Sequence, residues 1–376
     1  MSKQKTQLAE RSPSETAADL AAAESTEHDA VTPAEPAQRT SPVRDVLLTL
    51  LSRGYLFIVA LIVLAVGSQL SPFFLTSRNL VSVLITASVV SVLAVGQFFV
   101  IVTGGIDLSV GSVAALSSVV GALAMANGIP FVLASLLAIA MGAFIGLLNG
   151  LFIVFGGITP FIVTLAMMSA AQGLAYIVEG SRLVPVDNSS FLSAFTGKLG
   201  PIPAPVLIAA ITMLVAAVVM AFRRFGRRLY ALGGNPEAAR LSGLPVKRDT
   251  AAAYAISGAL AGLAGLMIAA QLTEGSAIVG SGYELNAIAA VVVGGASLFG
   301  GTGNPILAVL GGLIIATILN IMDILGIAAQ SQLIVKGIVI LLAVLFTSGA
   351  LSRRLPQWFS ALGRLASRGR TSSAAS

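Results

Sequence analysis

From Tyr55 to about Gly349 the chain is a succession of apolar runs separated by short polar or glycine-rich breaks. A helix needs about 20 predominantly apolar residues to cross the hydrocarbon of a bilayer. On that length the runs predict spans near 54–70, 80–102, 108–127, 129–155, 158–178, 205–222, 249–271, 283–299, 305–326 and 330–350. Glycine pairs interrupt the pattern at 80–127 and 283–326. The expected fold class is all-α: a polytopic membrane protein of about ten transmembrane helices, in two weakly similar halves with Gly-broken helices.

One polar, basic stretch, Arg223 to Arg248, lies between the two hydrophobic blocks, and its centre reads Gly233-Gly234-Asn235-Pro236-Glu237-Ala238-Ala239-Arg240-Leu241-Ser242-Gly243. These residues specify both ends of a short helix. Asn235 can accept from a free first-turn N–H, Pro236 suits the first helical position, and Glu237 is favoured beside the positive end of the helix dipole. Gly243 can supply the left-handed residue after the last turn, and Pro245 prevents continuation. A capped helix of about two turns in a loop of a membrane protein predicts a docking element for another protein.

Composition supports the membrane reading. The chain is 56% hydrophobic and 10% charged with mean hydropathy +0.94, whereas about a quarter of the residues of a soluble domain are charged. Residues 1–44 are rich in Ala, Glu, Ser, Thr and Pro without a sustained apolar period, which predicts a disordered cytoplasmic tail. They lack the order of a signal peptide, so the tail is expected to stay attached. Residues 351–376 form a second, basic tail with Arg353, Arg354, Arg364, Arg368 and Arg370, where Trp358 suits the headgroup level. The transmembrane domain is therefore 45–350, with 223–248 as its loop. Cysteine is absent, and the single histidine, His28, has no companion, so no metal site is expected. The net charge of +6 comes from basic residues at the ends of apolar runs, the distribution topology requires, and not from a nucleic-acid surface.

An even number of spans puts both termini on one side. With the N-terminus cytoplasmic, the inner set holds Arg39, Arg44, Arg53, Arg223, Arg224, Arg227, Arg228, Arg240, Lys247, Arg248, Arg353 and Arg354, against Arg78, Arg182 and Lys198 outside. That bias orients the chain and makes the capped loop cytoplasmic. The longest outer loop, about 179–205, carries Pro185, Pro201, Pro203, Pro205, Asp187 and Asn188, which suits an ordered surface facing an extracellular partner.

Both halves contain a glycine-rich break: Val102-Thr103-Gly104-Gly105-Ile106-Asp107-Leu108-Ser109-Val110-Gly111 in one, Val293-Gly294-Gly295-Ala296-Ser297-Leu298-Phe299-Gly300-Gly301-Thr302-Gly303-Asn304-Pro305 in the other. Paired broken helices point to a midplane pathway in transporters; tight helix packing or a simple reversal between spans gives the same sequence. Asp107, Glu284, Asp323 and Lys336 are the charges near apolar segments, each expected at a span end or a break. Ion-coupled carriers keep such charges in mid-helix. Gln97, Asn149 and Asn286, with Asn320, are amides able either to bind a hydroxylated solute or to bond helix to helix. Gly142, Gly146 and Gly150, and Gly258 and Gly262, have the spacing of close helix contacts.

The first break, the capped loop Ala231 to Gly243 and Val292-Val293-Gly294-Gly295-Ala296-Ser297-Leu298-Phe299-Gly300-Gly301, in this order, resemble the ribose-type permease family of bacterial ABC sugar importers over about residues 45–350. The resemblance implies a multi-pass inner-membrane subunit with both termini cytoplasmic. Its implied partners are a second permease, identical or paralogous, a cytoplasmic ABC ATPase, an extracytoplasmic sugar-binding protein and the bilayer. It implies that Asn235, Pro236, Glu237, Ala238, Ala239, Arg240 and Gly243 form the coupling helix that seats in the ATPase, with Arg223, Arg224, Arg227 and Arg228 at anionic headgroups. Gln97, Gly104, Gly105, Asp107, Asn149, Asn286, Gly294 and Gly295 are the candidate translocation-pathway residues. No catalytic residue is expected. The chain has no Gly-x-x-x-x-Gly-Lys-Ser/Thr, so Mg-ATP belongs to the partner ATPase and this chain holds no cofactor. The expected solute is ribose or a similar monosaccharide. A nucleoside, a polyol, a branched-chain amino acid or an ion-coupled secondary transporter are the alternatives.

Overall fold

The computed structural model describes residues 42–180 and 183–347. Arg182, the tail before residue 42 and the basic tail at 351–376 lie outside them. Backbone contacts divide the chain into two units, Met1–Gly54 and Tyr55–Ser376, and the second holds the helix bundle.

Thirteen helices are present among the described residues. Six are long and apolar enough to cross a bilayer: α2 (Ser77–Ile101), α4 (Phe131–Gly156), α5 (Pro160–Glu179), α7 (Ala204–Phe222), α10 (Val246–Leu272) and α12 (Pro305–Ile324). Shorter apolar helical stretches lie in α1 (Pro42–Leu70), α3 (Val110–Ala126), α11 (Tyr283–Val293) and α13 (Ala329–Thr347). The protein is an all-α multi-pass membrane protein. Phe57, Leu133, Phe144, Ile177, Leu214 and Ile334 are large apolar side chains left exposed on its helices, as expected where lipid is the solvent.

The centre is built on small residues. α4 and α10 make the most extensive helix pair, because Gly142 and Gly146 of α4 lie against the backbone of Gly258 and Tyr254, and Gly150 against Ala251. The glycine spacing thus serves close backbone approach, the main source of helix adhesion where lipid removes the hydrophobic drive. Gly146→Val should destabilise the protein by roughly 2–3 kcal/mol through overpacking. Gly173→Val, at an exposed site with nothing within 4 Å of an added Cβ, should stay within about 0.5 kcal/mol of the parent. Thermal unfolding in detergent distinguishes the two, and equal midpoints would refute the packing role.

Three features differ from the hydrophobic pattern. The first helix begins at Pro42, inside the stretch read as tail. α11 ends at Val293 rather than 299, where Gly295 turns left-handed (φ 84°). Between α10 and α11, Gly275 packs on Ser118 and Val119 and Gly280 on Gly111, so this connection runs beside α3 before α11 starts. Finally, the basic stretch contains an unpredicted helix, α8 (Arg224–Gly234).

Residues 183–205 carry short regular elements. Asn188 caps α6 (Ser189–Thr196) by accepting from the Phe191 N–H at 3.0 Å, and Phe191 and Phe195 are buried. β1 (Val184–Pro185) pairs antiparallel with β4 (Glu274–Gly275), Val184 opposite Gly275, while β2 (Lys198–Leu199) and β3 (Ile202–Pro203) form a hairpin.

Candidate functional site: a capped loop helix over two glycine breaks

Within the basic stretch, α8 is amphipathic: Phe225, Leu229 and Leu232 recur at helical spacing. Leu229 and Leu232 are buried, and Phe225 stacks on Phe99 of α2 with centroids 6.4 Å apart. That face fixes the loop to the bundle. A bidentate ion pair fixes it further, since the Arg228 guanidinium donates through Nε and Nη2 to both oxygens of buried Asp249 in the first turn of α10, at 2.5 and 2.8 Å. Asp249 holds the Arg228 pKa above its ordinary value. Arg228 is therefore engaged within the protein, a correction to its expected place at headgroups; Arg223, Arg224 and Arg227 are exposed.

α9 (Pro236–Leu241) follows directly. Asn235 Oδ1 accepts from the Ala238 N–H at 3.0 Å, Pro236 occupies the first helical position, and Gly243 is left-handed at φ 75°. The Gly243 N–H donates to Arg240 O and the Leu244 N–H to Ala239 O, the paired bonds of a glycine-terminated helix end. Ala239 is buried under the helix, while Pro236, Glu237, Ala238, Arg240, Leu241 and Gly243 are exposed. Arg240 donates to both Glu237 oxygens at 3.2 and 2.7 Å, which holds the Glu237 carboxyl below its ordinary pKa. Leu241, 77% exposed, is an apolar tip on a polar element.

Beneath this loop lie the two breaks, closed by the same backbone bonds. After α2 the Gly104 and Gly105 N–H groups donate to Ile101 O and Val100 O; after α11 the Gly295 and Ala296 N–H groups donate to Val292 O and Val291 O. Gly104 (φ 82°) and Gly295 (φ 84°) hold the left-handed position. The halves are thus equivalent with an offset of one, Gly104 matching Gly295 rather than Gly294. Gly294 instead packs on Leu307 and Ala308 of α12, and the Tyr55 hydroxyl donates to Val293 O at 2.8 Å.

The candidate pathway residues divide. Gln97, Asp107 and Asn149 meet in one buried cluster around the first break. Asp107 Oδ1 accepts from the Ser109 N–H and hydroxyl at 3.0 and 2.6 Å, and Oδ2 from the Ser257 hydroxyl of α10 at 2.9 Å. In the amide orientation that satisfies both groups, Gln97 donates to the Asp107 carbonyl at 3.0 Å and accepts from its N–H at 3.1 Å. Asn149 of α4 donates to Ser109 Oγ at 2.9 Å, and Thr164 of α5 to the Ile106 carbonyl at 3.2 Å. Four helices therefore hydrogen-bond to this break, two of them to its backbone and two to its side chains, partners that lipid cannot supply. Asn286 is elsewhere, on α11, its Oδ1 buried without a partner. It faces a small pocket shared with Met322 and Lys336.

Lys336 corrects the expectation that charges stay at span ends. It falls inside α13, half-buried, with its Nζ 3.8 Å from where a Cβ on Gly282 would stand. Asp107, at its break, is wholly buried. Sequence reasoning missed Thr164, Ser257 and Arg228, whose roles depend on partners 58, 150 and 21 residues away. No group of three or more His, Cys, Asp or Glu able to hold a metal occurs among the described residues.

Comparison with known families identifies the architecture. Residues 79–344 match the family of branched-chain amino acid transport system permease components. The chain belongs to that family. This permease is 41% identical over 292 residues to the ribose import permease protein of Bacillus subtilis, covering 77% of this chain and 89% of that one. It is 38% identical over 292 residues to the D-allose transport system permease protein of Escherichia coli K12 (77% and 90%). It is 33% identical over 319 residues to the L-arabinose ABC transporter permease protein of Azospirillum brasilense (82% and 94%). No solved structure matches the chain. The match spans both breaks and the capped loop, so the permease family's body extends over everything described from α2 nearly to the end of α13.

Proposed function

We propose that this chain is the membrane-spanning permease subunit of an ATP-driven importer that moves a sugar, ribose or a similar monosaccharide, delivered by an extracytoplasmic binding protein. Both termini and the Arg223–Arg248 loop are cytoplasmic, in a bacterial inner membrane. Two permease subunits enclose the path. A cytoplasmic ATPase hydrolyses Mg-ATP and grips Asn235–Gly243, the coupling helix, while the outer surface around α6 receives the loaded binding protein.

The observation that carries this reading is α9 itself: a helix with both ends specified, projecting exposed from a loop tied to the bundle by Phe225, Leu229 and the Arg228–Asp249 pair. Identity near 40% to sugar import permeases supports the solute class. Weak solute binding suffices inside such a path, since a tight midplane site would retain the sugar. The cluster around Asp107 fits this, because its hydrogen bonds are largely taken up by the chain itself.

The family's description favours one second reading, a branched-chain amino acid as the solute. Uptake into proteoliposomes holding the permease and its ATPase, with the binding protein outside, tests both. Labelled ribose uptake should require ATP inside and survive ionophores. Leucine uptake in place of sugar would move the assignment to the second reading. Uptake of either solute without ATP that collapses with the ion gradient would overturn the function altogether.

A further inference from the structure

We propose that Gly233 is a positioning residue: the point at which movement of the Asn235–Gly243 helix enters both Gly-broken helices, through a junction made of bare backbone. The inference rests on the coupling reading of that helix. Gly233 is the last residue but one of α8, two before the Asn235 cap, and it is buried. A Cβ there would overlap the Val102 carbonyl oxygen of the first break and the Gly301 nitrogen of the second. Those two groups are already joined, the Gly301 N–H donating to Val102 O at 2.9 Å. Gly300 (φ 89°) completes the junction: a Cβ on it would lie 2.7 Å from Gly104 N and 2.9 Å from Gly233 O. Three chain segments, distant in sequence, therefore touch main chain to main chain.

A contact between side chains absorbs a small displacement by rotamer change. Backbone pressed on backbone, with a hydrogen bond across it, has no such slack, and packed interiors transmit strain. Two further contacts hold α8 against the same segments. The Tyr230 hydroxyl donates to Gly303 O of the second break at 2.8 Å, and Phe225 stacks on Phe99. Beyond the junction the first break leads to Asp107, and thence to α10 through Ser257 and, by way of Ser109, to α4 through Asn149. The second leads into α12 through Gly294 on Leu307. A displacement of α9 is delivered to both halves at once.

Neighbouring glycines supply the test. An added Cβ at Gly233 meets backbone, whereas at Gly234 it meets nothing within 4 Å and the backbone is not left-handed. In the assembled transporter Gly233→Ala should lower sugar uptake roughly tenfold, while the ATPase still co-purifies and hydrolyses ATP. Gly234→Ala should transport at the parental rate. Tyr230→Phe, which removes one hydroxyl, should lower uptake about threefold with ATPase retained. Parental uptake by Gly233→Ala overturns the proposal, and so does equal loss in Gly234→Ala. Loss of ATPase association in Gly233→Ala also overturns it, assigning the segment to docking and leaving the coupling reading intact. If Gly233→Ala fails to accumulate in the membrane, Tyr230→Phe decides: parental uptake overturns the proposal, and reduced uptake with the ATPase bound upholds it. Should the α9 variants themselves transport normally, the coupling reading fails first.

Discussion

Glu237→Lys should reduce sugar uptake at least ~30-fold, the scale of losing a central contact in a protein interface, while the permease still inserts in normal amount. Insertion depends on the apolar helices and the flanking basic residues, which this change leaves alone. The loop helix is affected in three ways. A cation replaces an anion at the positive end of the helix dipole. It stands beside Arg240, which now donates to both Glu237 oxygens. And the charge offered on the exposed face is reversed. Gly243→Val should act through geometry instead, because its φ of 75° strains a β-branched residue by roughly 1–3 kcal/mol. Losing the left-handed turn also undoes the Gly243 and Leu244 bonds back to Arg240 and Ala239. Uptake, permease abundance in membranes and ATPase co-purification, measured together, check both variants. Normal uptake in either would remove α9 from the coupling path.

The second large effect is expected at Asp107. Asp107→Ala leaves the Ser109 N–H, its hydroxyl and the Ser257 hydroxyl without their acceptor in a fully buried position. Each such group costs about 1–3 kcal/mol, so a loss on the order of 4 kcal/mol is expected even after partial rearrangement. Asp107→Asn keeps one oxygen to accept from Ser109, and its amide can donate to Ser257 Oγ. It should therefore unfold close to the parent and transport. The pair separates hydrogen bonding from charge: a tolerated Asp107→Ala would refute the hydrogen-bonding role, and failure of Asp107→Asn along with Asp107→Ala would assign the role to the charge itself. Thermal unfolding in detergent and uptake give the two readouts.

These residues also show what the sequence could convey. The caps of α9 were legible because a cap is local: Asn235 to Ala238 spans three residues, and Gly243 and Leu244 reach back three and five. The glycine breaks were legible as interruptions of an apolar pattern, but the one-residue offset between Gly104 and Gly295 was not. It depends on which glycine turns left-handed, and a pair of glycines permits either. Arg228 read as one more basic residue in a basic stretch, since only folding brings Asp249 to it. α8 carries a recoverable signal, Phe225, Leu229 and Leu232 at helical spacing, which the density of arginines obscured. Gln97 and Asn149 were recognised as amides facing a decision between solute and chain; their partners, Asp107 backbone and Ser109, lie in the first break.

The family match defines a permease body, and the proposed function places its drive at the capped loop. That last statement is the central one, and the chain's lack of cysteine makes it directly measurable. Ala238 is exposed in the middle of α9, and Ala194 is exposed on α6, on the surface proposed to face outward. In membranes containing the assembled transporter, Ala238→Cys treated with a thiol-to-amine crosslinker should yield a permease–ATPase adduct whose amount changes when ATP is added, and Ala194→Cys should yield none. A transport-competent Ala238→Cys protein that reacts with a soluble maleimide yet forms no adduct with the ATPase would contradict the account.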